Sequence, residues 1–145
     1  MATSFGLETV LVPNGTDPDQ FIDVVALHGI AGLGRESWLY AGDGELKYRR
    51  WFEDQCPNIR FSVYDYPFLD GQANVFVRGG IRREALRLLE ALTALRAAAD
   101  EKKRRIMFFG HDIGGVIIKE VIDSLFFRLK LDSLPGMSLP LTFHP

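Results

Sequence analysis

The sequence predicts an α/β fold, a mostly parallel sheet with helices on both faces, stacked as a three-layer α/β/α sandwich. Three observations predict it. Runs rich in β-formers alternate with helix-like runs in the order β, β, α, β, α, β, α. One run, Asp23–Leu27, is nearly continuously apolar, as suits a strand buried on both faces. The composition supports a core: of 145 residues, 47% are hydrophobic and 25% charged, ordinary for one small globular domain.

Leu7–Val12 alternates and is rich in β-formers, so it reads as the first strand, ended by Pro13-Asn14-Gly15. Asp23–Leu27 is the second. The glycines of His28-Gly29-Ile30-Ala31-Gly32-Leu33-Gly34 exclude regular structure there. Leu46–Gln55 reads as a helix with Trp51 and Phe52 facing the core, and Arg60–Tyr66 as a strand closed by Pro67. Asp70–Gly80 reads as loop. Ile81, Ala85, Leu88, Leu89, Leu92 and Leu95 then recur at helical spacing, with Arg82, Arg83, Arg87 and Glu90 on the other face. Arg105–Phe109 is a fourth strand and Gly114 to about Lys130 a third helix. The folded domain thus covers 1–130. Pro135, Gly136, Pro140 and Pro145 make 131–145 an irregular tail.

Charge and composition exclude several classes. A formal net charge of −2 sets up no basic field for nucleic acid. The clusters Arg82-Arg83 and Lys102-Lys103-Arg104-Arg105 read as solvated helix ends and gatekeepers of the following strand. Cys56 is the one cysteine, an inert thiol at a helix end that fits a reducing, cytoplasmic setting. The first residues lack a signal-peptide pattern, and no run approaches the roughly 18 apolar residues of a membrane span. Gly29 and Gly34 stand at phosphate-loop spacing, but Arg35 and Glu36 follow where that motif needs Lys and Ser or Thr. Neither a cofactor nor a metal is implied. Trp38, Tyr40, Trp51, Tyr64 and Tyr66 read as core and pocket lining.

The chemistry concentrates in Gly110-His111-Asp112-Ile113-Gly114-Gly115. Between an apolar strand and a helix, Gly110 and Gly114 allow a tight bend and a close approach of the two elements. The bend lifts the middle side chain, Asp112, to the carboxyl end of the strand, beside unpaired helix N–H groups that favour a carboxylate. A plain helix cap would also use Asp. His28-Gly29 ends another apolar strand. In hydrolases with such a strand–turn–helix bend, which this stretch resembles, the backbone N–H groups at the positions of Ile30 and Ile113 form an oxyanion hole. His28 and His111 read as structural histidines supporting loop and turn, with Gly29 and Gly115.

The runs V-V-A-L-H-G-I-A-G-L-G, P-N-I-R-F-S-V-Y-D-Y and I-M-F-F-G-H-D-I-G-G-V-I-I-K-E resemble the N-terminal half of α/β-hydrolases over roughly residues 7–128. The likeness is to lipase/esterase-like proteins related to serine-active-site proteins, and to hydrolase-like domains of fungal signalling proteins. It implies a truncated α/β-hydrolase fold, with Gly110–Gly114 as the nucleophile elbow and Asp112 at the nucleophile position. It also implies a small hydrophobic ester-like ligand.

Asp112 stands where catalytic members carry Ser. Acylating a carboxylate would give an anhydride, so ordinary esterase chemistry is closed to it. Haloalkane dehalogenases and epoxide hydrolases do use Asp, through an alkyl-enzyme ester. Here Ile113 replaces their halide-binding Trp, and Ile30-Ala31 lacks the proline of the epoxide hydrolase loop. No acid and His of a triad follow: Asp123 and Asp132 lie on or just past the last helix, and His144 is in the tail. The expectation is a catalytically inactive interaction or signalling module, or a fragment of a longer protein. The alternative is a hydrolase with Asp112 as nucleophile, completed by residues outside the chain. A bare outer edge on the elbow strand would invite self-association.

Overall fold

In the computed structural model, the structure describes residues 5–30, 34–40, 45–67, 74–98 and 101–132. Its frame is a four-stranded mixed, mostly parallel sheet with three helices, a small α/β fold. The strands are β1 (Gly6–Leu11), β2 (Ile22–Leu27), β3 (Ile59–Asp65) and β4 (Arg105–Gly110), and the helices α1 (Arg49–Gln55), α2 (Gly80–Leu95) and α3 (Ile113–Asp132). The chain order is the alternation expected from the sequence.

Across the sheet the order is β1-β3-β2-β4. β1 runs antiparallel to β3, pairing Gly6 with Asp65 and Thr9 with Ser62. β2 lies parallel between β3 and β4, with Leu27 opposite Tyr64 on one side and Gly110 on the other. This central position explains the apolar run of β2, since alternate residues feed two clusters. Val25 and Leu27 pack with Tyr64, Tyr66 and the inward rows of α2 and α3, among them Leu88, Ile117 and Val121. Val24 and Ala26 point the other way, to Leu11, Leu39, Leu46, Phe61 and Val63, with Trp38 and Phe52 at the margin.

Several boundaries differ from those expected. α1 starts at Arg49, not Leu46. Leu46 instead forms a β-bridge with Leu39, and Tyr48 has a left-handed φ of 62° that interrupts the helix before it. Phe52 packs on Phe61, but Trp51 is 56% exposed, and Tyr40 is also open to solvent. Successive helix positions lie about 100° apart, and on α1 it is Phe52 that takes the inward one. α2 begins at Gly80, and the part of the expected loop at 70–73 lies outside the described residues. α3 continues through Asp132, taking in the first two residues of the expected tail. The rest of the tail, 133–145 with His144, lies outside the described residues, as does Ala31.

The charged residues are less surface-bound than their pattern suggests. Asp23 is 1% exposed, at the start of β2. Arg60 grips both its oxygens, Nε donating at 2.8 Å and Nη2 at 3.0 Å, and Arg96 Nε lies 3.1 Å from Oδ2. Glu101 accepts from Arg60 and Arg104, each at 3.0 Å. Arg104, expected in a solvated run, instead stands over the Phe21 ring. On α2, Glu84 is buried and pairs with Arg83 and Arg87, so Arg83 is not simply on a solvated face. Among the described residues no helix is long and apolar enough to cross a membrane.

Candidate functional site

The register of β2 with β4 sets Leu27 beside Gly110, so the segments that follow both strands emerge together at the carboxyl end of the sheet. The His111 amide donates to the Leu27 carbonyl at 3.1 Å and ties them. The chain turns once more and enters α3, with the Gly114 amide donating to His111 O and the Gly115 amide to Asp112 O.

Asp112 makes this bend with φ +53°, a left-handed conformation that non-glycine residues seldom adopt. Such strain costs on the order of 1–3 kcal/mol and persists where the surroundings enforce it. The glycines act differently from the bend residue. A Cβ on Gly110 would stand 2.7 Å from the Gly115 nitrogen, and one on Gly114 2.7 Å from the His28 carbonyl oxygen. They are therefore close-approach positions. A Cβ on Gly29 would fall 2.4 Å from His111 Nδ1 and 2.8 Å from Asp112 Cβ. A Cβ on Gly115 would meet nothing within 4 Å.

The Asp112 side chain is exposed, and its Oδ2 accepts a hydrogen bond from the Ile30 backbone N–H at 3.2 Å. This bond spans 82 positions of sequence and joins the two segments singled out above. One amide of the expected oxyanion pair thus faces the carboxylate. The other, on Ile113, opens α3 one residue further on.

His28 is fully buried. Its Nδ1 lies 3.2 Å from the Gly29 carbonyl oxygen, to which an Nδ1–H donates. Its Nε2 faces Asp65 Oδ1 at 3.1 Å and the Tyr66 amide at 3.4 Å. A proton on Nε2 would serve Asp65, and a bare Nε2 the Tyr66 amide. The ring stacks on Tyr66 at 4.0 Å, and the Tyr66 hydroxyl donates to the His28 carbonyl at 2.5 Å. Burial, with the charges of Asp112 and then Asp65, raises the Tyr66 phenol well above its ordinary value. The phenol therefore stays a donor. His111 is exposed rather than enclosed by the turn.

Tyr66 and Asp65 belong to the site's frame, yet in sequence Tyr66 read as core and pocket lining and Asp65 only as part of a strand. The available signal was their position at the end of the strand pairing with the one that His28 follows. Asp123, on α3, pairs with Lys119. Among the described residues no three His, Cys, Asp or Glu side chains gather as a metal site. No protein-family model, no curated protein and no solved structure matches the chain.

Proposed function

We propose that the chain is an α/β-hydrolase-like domain of lipase/esterase type, built as a three-layer α/β/α sandwich, whose nucleophile position has become a resident carboxylate. In this reading it binds and signals rather than catalyses. The observation that carries it is the bond from the Ile30 amide to Asp112 Oδ2. A donor that would stabilise a substrate oxyanion already holds an anion, so a substrate oxygen must displace it. The strained Asp112 between β4 and α3, and the parallel β3-β2-β4 core with an antiparallel β1, support the ancestry. The described histidines offer no placed base: His28 is committed to its buried contacts, and His111 sits on the bend itself.

The test is hydrolysis of a short-chain nitrophenyl ester together with trapping by a reactive epoxide. The expected result is no turnover above background and no adduct. A second reading, with Asp112 as nucleophile completed by residues from elsewhere, draws on the exposure of its side chain. An ester adduct on Asp112, seen by peptide mass spectrometry and released with time, would sink the inactive reading in favour of that one.

The surface for a partner is the outer edge of β4. Among the described residues β4 pairs only with β2, and Met107 and Phe109 are 48% and 43% exposed. An open apolar strand edge favours pairing with another chain, here a second copy. Sedimentation should show a concentration-dependent dimer that Phe109→Lys removes. A monomer at all concentrations ends this part of the proposal.

A further inference from the structure

On the sheet face that carries Val24 and Ala26, a pocket of about 260 Å³ opens, lined by Trp38, Leu46, Lys47, Tyr48, Phe52 and Phe109 among others. The walls are mostly aromatic. An apolar cavity of roughly 150 Å³ admits benzene, so this one has room for a ring and a polar substituent.

Two of the lining residues, Trp38 and Lys47, carry N–H donors. The indole Nε1 of Trp38 is buried and meets no hydrogen-bond acceptor among the described residues. Buried N–H groups are nearly always paired, and an orphan calls for an acceptor. Lys47 Nζ donates to the carbonyl oxygens of Glu36 at 2.7 Å and Ser37 at 3.2 Å. Those bonds fix the ammonium beside Ser37, itself a lining residue, and use two of its three N–H groups.

We propose that this pocket binds a small monocarboxylate with an aromatic or short aliphatic body. One carboxylate oxygen accepts from Trp38 Nε1, the charge faces Lys47, and the body lies against Phe52 and Phe109. The site stands on these groups alone and is independent of the elbow reading, since none of them contacts Asp112 in the hydrogen bonds described above.

The experiment is an NMR titration of the full-length, ¹⁵N-labelled chain with benzoate. The chain has two tryptophans, so two indole N–H signals are present, and Trp51→Phe assigns that of Trp38. Benzoate should shift the Trp38 signal downfield in a saturable way, and toluene, the same ring without an acceptor, should not. Lys47→Met and Trp38→Phe should each weaken benzoate binding about tenfold, as loss of a hydrogen bond to a charged group implies. Trp38 packs at the edge of the core, so Lys47→Met is the deciding variant if Trp38→Phe fails to fold. No saturable shift, an equal downfield shift with toluene, or unchanged affinity in Lys47→Met overturns the proposal. Such a failure leaves ester turnover and adduct formation at Asp112 unaffected.

Discussion

The two ends of the sheet treat charge in opposite ways. At the amino ends of β2 and β3, Asp23 and Arg60 are buried and locked together through two parallel N–H···O bonds, with Arg96, Glu101 and Arg104 completing a network. Burial pulls the Arg96 guanidinium below its ordinary value, and the Asp23 carboxylate opposes that pull. At the carboxyl ends, Asp112 is exposed, sits on a strained backbone and holds one amide. The first arrangement clamps strands to the following segments and offers solvent little. The second keeps an accessible carboxyl group at the cost of local strain.

The largest effect should come from breaking the clamp. Arg60→Met leaves Asp23 with Arg96 alone in a buried setting, and should cost about 3–5 kcal/mol in urea unfolding, as loss of one partner of a buried pair does. A loss under 1 kcal/mol would mean that the network is no clamp. Next, Gly29→Ala drives a methyl against His111 and Asp112, and should cost about 1–3 kcal/mol by overpacking. Gly115→Ala, with open space and a helical backbone, should be neutral or stabilising by up to about 1 kcal/mol. Equal melting shifts for the two alanines would deny the close packing claimed at the elbow.

Smaller effects sharpen the contrast. Asp112→Val should destabilise by about 1–2 kcal/mol, because a β-branched residue tolerates a positive φ poorly. Asp112→Gly should be within about 1 kcal/mol of the parent, relief of strain offsetting the lost bond to Ile30. If both behave alike in thermal unfolding, the bend is not strained. The smallest effect is alkaline. Tyr64 and Tyr66 have phenols raised above the ordinary value near 10, each chiefly by burial. Above that pH the unfolded chain releases protons that the folded chain retains. Stability is therefore full below pH 10 and falls as pH rises. At pH 10 the loss is about 0.4 kcal/mol per tyrosine. Absorbance at high pH should show the Tyr64 and Tyr66 phenols still protonated for as long as the chain stays folded.

The alternation of elements was legible because period and composition act locally. The apolar run at Val24–Leu27 and the spacing from Ile81 to Leu92 carry their own burial. The start of α1 was not legible, since Tyr48 adopts a backbone that its side chain does not announce. Glu84 was hidden because its neutralising arginines sit on the same helix and mimic a solvated face. Asp23 was read only as the start of an apolar run, because its cations Arg60 and Arg96 lie far away in sequence. The meeting of Ile30 with Asp112 depends on strand order, which local patterns do not encode.

The place of β2 between two parallel neighbours sets a timetable for synthesis. Its partner β4 leaves the ribosome only after some eighty further residues, so the most water-averse stretch emerges early and waits longest for cover. Until then it is a target for chaperones. Once enclosed, its amide hydrogens should be among the slowest in the molecule to exchange with deuterated solvent.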